Sequence, residues 1–264
     1  MGRVIPGVLM VVLWLLLLFA APPLLFWLVI TAGAAIGLAE FFRMVKIFPG
    51  SGTLLLATIL SCAPVALSFT GAPSAVLSGG YLALLGIVLL VLKLYAGLTD
   101  GLAVLTKAGF AVVYIALCSA HLVLIRYLPD GSAWLLLLTA ITAGSDTGAY
   151  YAGRRFGKEK LCPYISPGKT VNGALGGALL AVILAVTVAA LFLPDTSLVK
   201  VALGAIILSG IGIAGDLTES IIKRGTGVKD SGTLLGGHGG LLDRIDSLLL
   251  TAPLLYALLS FGIL

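Results

Sequence analysis

Apolar runs alternate with short polar punctuation from one end of the chain to the other. Runs long enough to cross a bilayer fall near 5–21, 24–39, 52–70, 75–95, 108–126, 133–153, 173–193, 199–222 and 243–264. A hydrocarbon core about 30 Å thick needs roughly 20 apolar residues in a helix, so the pattern predicts about nine transmembrane helices. Pro22-Pro23 separates the first two runs, which are short, and Pro49-Gly50, Gly71-Ala72-Pro73, Pro129-Asp130-Gly131 and Pro194-Asp195 mark later turns. The N-terminal run reads as a first transmembrane helix and not a cleaved leader, because further spans follow at once. No internal repeat and no low-complexity tract interrupts the pattern. The expectation is an all-α, polytopic integral membrane protein with a single membrane-embedded domain over 1–264: N-terminal spans over 1–140, and a half rich in polar motifs over 141–264.

Composition agrees. The chain has 264 residues, 60% of them hydrophobic and 10% charged, whereas a soluble domain is typically about 45–50% apolar and about 25% charged. Cys62, Cys118 and Cys162 are scattered, with no spacing suited to zinc or to a disulfide framework. The net charge of +5 does not imply nucleic-acid binding, because the distribution of the cations explains it. If nine spans alternate, 14 of the 16 Lys and Arg residues share one face, and only Arg126 and Lys200 lie on the other. The positive-inside rule then places the N-terminus and the charged loops in the cytoplasm and Leu264 outside. The location implied is the cell (cytoplasmic or inner) membrane, with the lipid bilayer as the standing partner.

Charge is costly beside a bilayer, so its concentration there marks a site. Two long polar loops on the cytoplasmic side hold it, Arg154 to Asn172 and Lys223 to about Gly240. Ahead of the second, Asp216, Glu219, Ser220, Lys223 and Arg224 fall on one helical face, with carboxylates deeper and cations at the water edge. Gly225-Thr226-Gly227 then ends the helix. Gly236-Gly237-His238-Gly239-Gly240 lets backbone N–H groups approach a ligand closely. The next helix opens with Asp243, Arg244 and Asp246. A helix pair carrying Asp216 and Asp243 can hold a magnesium ion between them, since magnesium takes one or two carboxylates plus substrate phosphates. A second cation stays open.

The first loop brings Asp146 at a span end, then Ser166, Lys169 and Thr170 around a Pro-Gly turn. Gly168-Lys169-Thr170 is not a Walker A loop, because position 163 is Pro and not Gly. Arg154, Arg155, Lys158 and Lys160 read mainly as topology and lipid-surface charges. A metal, several cations and hydroxyl donors at a membrane edge are suited to phosphoryl or nucleotidyl transfer, where catalysis is mostly positioning and charge neutralisation.

The spacing from Ser220, Lys223, Arg224, Lys229, Asp230 and Gly232 to His238, Gly239, Gly240, Asp243, Arg244 and Asp246 resembles the signature of the phosphatidate cytidylyltransferase (CDP-diglyceride synthase) family. Asp146 to Tyr150, Gly153 to Gly157 and Ser166 to Thr170 resemble it as well. The motifs cover about the C-terminal half. One departure is that the family usually carries a glutamate where this chain has Asn172. The resemblance implies a metal-dependent nucleotidyltransferase that converts CTP and phosphatidic acid to CDP-diacylglycerol and pyrophosphate in phospholipid biosynthesis. It implies catalytic roles for Asp146, Asp216, Lys223, Arg224 and Asp243, with Asp216 and Asp243 as metal ligands. Substrate contacts are implied for Ser166, Lys169, Thr170, Ser220, Lys229, His238, Gly239, Gly240, Arg244 and Asp246. A homodimer is left open. The rival readings are a related enzyme with another lipid acceptor, such as a CDP-archaeol synthase or a polyprenol kinase, and an ion-coupled transporter. The charges cluster at one edge and no two-fold internal symmetry is visible, which disfavours the transporter.

Overall fold

Proline and glycine set where the helices start and stop. A computed structural model describes residues 4–233 and 239–264, with side chains from residue 7 onward. The helices are α1 (Val4–Phe19), α2 (Pro23–Val45), α3 (Gly50–Ser61), α4 (Ala63–Leu67), α5 (Pro73–Leu94), α6 (Gly101–Ala111), α7 (Cys118–Tyr127), α8 (Gly131–Phe156), α9 (Val171–Phe192), α10 (Leu198–Thr226) and α11 (Leu242–Ser260). Pro23 and Pro73 sit in the first turns of α2 and α5, where the missing N–H costs nothing. Lys46 closes α2 in a left-handed conformation and Gly227 closes α10 in the same way, at φ 71.

Several of these helices are continuous rods. α3, α4 and a 3₁₀ turn make one apolar stretch, Gly50–Thr70, and α6 and α7 join through a π-helical turn at Val112–Leu117. The rods coincide with the apolar runs of the sequence. Six described helices are long and apolar enough to cross a membrane: Pro23–Val45, Gly50–Thr70, Pro73–Gly97, Gly101–Tyr127, Val171–Phe192 and Leu198–Thr226. α1 is apolar but shorter, and α8 and α11 carry the charges of the site. Outward faces are greasy, as with Leu82, Leu85, Leu89 and Leu92 on α5 and Leu175, Leu179 and Ile183 on α9. Lipid accepts such surfaces, and the chain is a polytopic membrane protein of the all-α class.

One local feature departs from the sequence expectation. The segment read as a polar loop after Arg154 contains an antiparallel hairpin, β1 (Lys160–Cys162) with β2 (Ser166–Thr170), pairing Lys160 with Thr170 and Cys162 with Ser166. Pro167 is tolerated because a two-stranded hairpin consists only of edges. Too few residues alternate there for periodicity to reveal a strand.

Packing falls into two apolar clusters. One joins Phe41, Phe42, Val91, Ala108 and Ile115 with Leu242 and Leu249. The other joins Leu18, Phe26, Trp134, Leu138, Ala181 and Leu208 with Ala252 and Leu255. α11 contributes to both, so it stitches the N-terminal spans to the motif-bearing ones. α9 buries a stripe of Gly173, Gly177, Ala181, Ala185 and Ala189, spaced one per helical turn, against α8. The approach is backbone to backbone. A Cβ on Gly148 would stand 2.5 Å from the Gly176 carbonyl oxygen, and one on Gly177 would stand 2.6 Å from that of Ser145. Tyr114, in the π turn, donates a hydrogen bond to the Gly215 carbonyl at 3.1 Å and ties this rod to α10.

Candidate active site

The C-terminal turns of α10, the hairpin and the start of α11 assemble the polar residues. On α10, Asp216, Glu219 and Lys223 project along one face as the helical spacing predicts. Lys223 Nζ donates to Glu219 Oε2 at 2.6 Å and to Asp243 Oδ1, across the seam on α11, at 2.7 Å. Glu219 is 1% exposed at its side chain, so the ammonium neutralises a carboxylate that water scarcely reaches. The hairpin is fixed to the same helix twice. Lys169 Nζ lies 2.5 Å from Asp216 Oδ2, and Arg224 Nε donates to the Ile165 carbonyl. The two motif segments, separate in sequence, therefore form one site.

Asp243 is the most heavily hydrogen-bonded carboxylate of the site. Its Oδ2 accepts from the Ser231 backbone N–H at 2.9 Å, the Ser231 hydroxyl at 2.9 Å and the Gly240 N–H at 2.8 Å. Gly239, at φ 81, lies so close that a Cβ there would meet Asp243 Oδ2 at 2.7 Å. This gives the glycine run a physical reason at one position: the backbone must turn left-handed and pass against a carboxylate. Asp216 Oδ1 is engaged more lightly, by the Ser220 hydroxyl at 3.4 Å. Asp146, Asp216 and Asp246 lie within electrostatic reach of one another. Among the described residues, no three His, Cys, Asp or Glu side chains converge closely enough to form a ready-made metal cage.

A cavity of about 260 Å³ opens beside these groups, lined by Ser145, Asp146, Tyr150, Lys169, Thr170 and Asp216. A larger one, about 1060 Å³, lies across the 228–233 segment, with Glu40, Arg43, Lys46, Phe48, Asp230 and Ser231 in its wall.

The remaining expected residues take varied places. Thr170 is buried and caps α9, accepting from the Gly173 N–H at 3.1 Å. Ser166 opens β2 opposite Cys162, Lys229 is exposed after α10, and Arg244 is exposed in the first turn of α11. Asp246 accepts from the Ser247 N–H at 2.6 Å. His238 lies outside the described residues, as do Gly236 and Gly237.

Reading the motifs missed Glu40 on α2, which is 4% exposed. Its Oε1 accepts from the Leu241 N–H at 3.0 Å and its Oε2 from the Leu242 N–H at 2.9 Å, and the Ser231 hydroxyl, whose one proton is shared between Glu40 and Asp243, lies 3.3 Å from Oε2. A lone carboxylate closing an apolar run was a visible signal for it.

Comparison with known proteins identifies the family. A sequence model of the cytidylyltransferase family matches residues 1–261. The chain is 38% identical to the phosphatidate cytidylyltransferase of Bacillus subtilis over 270 residues, covering 98% of this chain and 97% of that protein. It is 38% identical to the phosphatidate cytidylyltransferase of Pseudomonas aeruginosa over 154 residues, covering 58% of this chain and 57% of that one. It is 48% identical to that of Staphylococcus haemolyticus over 132 residues, covering 49% and 50%. With a family match along nearly its whole length, and with the two motif segments meeting at Lys169–Asp216 and Lys223–Asp243, the chain belongs to the cytidylyltransferase family.

Proposed function

We propose that this protein transfers the cytidylyl group of CTP to the phosphate of phosphatidic acid, giving CDP-diacylglycerol and pyrophosphate in phospholipid biosynthesis. The observation that carries the proposal is that α10 gathers both motif segments, pairing Asp216 with Lys169 of the hairpin beside a small cavity and Lys223 with Asp243 of α11, in a chain that matches a phosphatidate cytidylyltransferase end to end.

The reaction joins two polyanions. An oxygen of the lipid phosphate attacks the α-phosphorus of CTP, and the bond from that phosphorus to the β-phosphate bridge breaks. The electron pair leaves with pyrophosphate. A phosphate monoester has a second pKa of about 6, so the nucleophile is already mostly ionised at neutral pH and no strong base is needed. What the protein supplies is positioning and charge. Lys169 is paired with Asp216, and Lys223 with Glu219 and Asp243, and each could exchange a carboxylate partner for a phosphate oxygen. Arg224 is anchored to the hairpin by one nitrogen, which leaves the rest of its guanidinium for phosphate.

Magnesium is part of the proposal. Asp216 suits it, since it borders the cavity with one oxygen only lightly engaged. Asp243 would join by releasing Lys223, since both its oxygens already accept hydrogen bonds. Once bound, the ion would neutralise phosphate charge. The positive-inside argument supports a site facing the cytoplasm in the cell membrane.

The test is purified protein with labelled CTP and phosphatidic acid. The label should enter the lipid phase with stoichiometric release of pyrophosphate. Transfer only to an archaeal ether lipid or a polyprenol acceptor, or no transfer at all, overturns the reading.

A further inference from the structure

We infer that Glu40 is a positioning residue for the transfer reaction: a carboxylate from α2 that sets the start of α11, and with it Asp243 and Lys223, in the working arrangement. The inference rests on the reaction proposed above.

A carboxylate that is 4% exposed inside an apolar helix is costly unless its charge is well solvated by donors. Glu40 accepts a backbone N–H at each of its carboxylate oxygens. Two of the donors are the amides of Leu241 and Leu242, 201 and 202 positions away in sequence. α11 begins after Leu241, whose side chain cannot cap a helix, and its first amides need acceptors from elsewhere. Glu40 supplies them and places negative charge at the positive end of the helix dipole.

An ordinary cap would satisfy the amides from a local Ser or Asn without burying a charge. Glu40 does more, because it grips the preceding segment as well. A Cβ on Gly232 would stand 2.6 Å from its Oε1, and one on Gly240 would stand 2.6 Å from its Oε2. The backbone therefore closes on the carboxylate from both sides. The Ser231 hydroxyl lies 3.3 Å from Glu40 Oε2 and 2.9 Å from Asp243 Oδ2. Asp243 in turn holds Lys223 at 2.7 Å. A relay of contacts thus runs from Glu40 through Ser231 and Asp243 to Lys223, and it joins α2 to the site.

The experiment uses the full chain in lipid nanodiscs, as wild type, Glu40→Gln, Ser231→Ala and the double variant. The rate constant is read in single turnover with enzyme in excess, so that inactive protein does not count. Glu40→Gln keeps the shape but turns an N–H donor toward donors. It should lower the rate constant about 30-fold, and Ser231→Ala about 10-fold. The double variant should be far better than the product of the two losses, because both act on one relay. Hydrogen exchange should quicken across 239–246 in Glu40→Gln and stay unchanged across 171–192. Glu40→Asp, which keeps the charge on a shorter arm, should recover part of the rate. If Glu40→Gln does not accumulate, Glu40→Asp carries the test, and a wild-type rate with wild-type exchange there overturns the inference. Losses that multiply fully, or exchange that quickens throughout the molecule, make Glu40 merely structural and also overturn it. Should the wild type itself fail to use phosphatidic acid, the proposed reaction falls, while the exchange measurement still decides what Glu40 holds.

Discussion

Lys223 and Asp243 meet at 2.7 Å across the seam between α10 and α11, and Glu219 takes the same ammonium at 2.6 Å from the turn below. Removing the cation leaves two poorly solvated carboxylates facing each other. Breaking such a group from one side typically costs about 3–5 kcal/mol. Lys223→Met should therefore reduce both the amount of folded protein in the membrane and its turnover, the latter by more than about 100-fold. Adding Asp243→Asn and Glu219→Gln removes the stranded charges and should restore the protein level but not the turnover. Recovery of both, measured by quantitative blotting and by CTP transfer, would mean that the triad only supports the fold.

Asp216 contacts Lys169 on the hairpin and borders the smaller cavity. Asp216→Asn keeps the size of the side chain and removes its charge. Turnover should fall at least about 100-fold, on the order of 3 kcal/mol of transition-state stabilisation, with little change in protein level. A chelator should abolish wild-type activity and magnesium should restore it. Near-normal turnover of the variant in saturating magnesium would remove Asp216 from the ligand set.

Asn172 donates its side-chain amide to the Phe156 carbonyl at 2.5 Å, closing the end of α8 onto the start of α9. Glutamate cannot donate that bond and would face a carbonyl with like partial charge. Asn172→Glu should thus be neutral or harmful. A gain in turnover above tenfold would show that a charge at this position is worth more than the bond.

Much of this arrangement was legible in the sequence. Hydropathy located the helical rods because lipid imposes the same demand on every one of them. The one-face spacing of Asp216, Glu219 and Lys223 is a property of the helix itself, but it reads as a phosphate and metal face, and the ion pair that Lys223 makes with Glu219 is not expected from it. What spacing cannot carry is the choice of partner between elements. Lys169 could have met any of several carboxylates, and its pairing with Asp216 depends on where the hairpin folds back. The hairpin was hidden for a related reason: it is three and five residues long and held by tertiary contacts. Glu40 was visible as a lone carboxylate closing an apolar run, but its role was not, because its donors are mostly backbone amides, which leave no trace in a pattern of side chains.

The cation asymmetry predicts orientation. A cysteine introduced at position 158 or 229 should be shielded from impermeant thiol reagents in intact cells, and one added after Leu264 should be labelled. Labelling of 158 and 229 from outside would place the polar loops on the wrong face for cytoplasmic CTP.

The seam of small residues between α8 and α9 makes one jaw of the site incompressible. Backbone rests on backbone at Gly148 and Gly177, so no side chain there can be trimmed or enlarged to alter how far Asp146 on α8 stands from the hairpin that α9 carries. Relatives that come to prefer another lipid acceptor or another nucleotide must therefore find their variation in the opposite jaw, among α2, the end of α10 and the start of α11. Natural diversity and laboratory evolution alike should leave the first jaw untouched and collect their changes in the second.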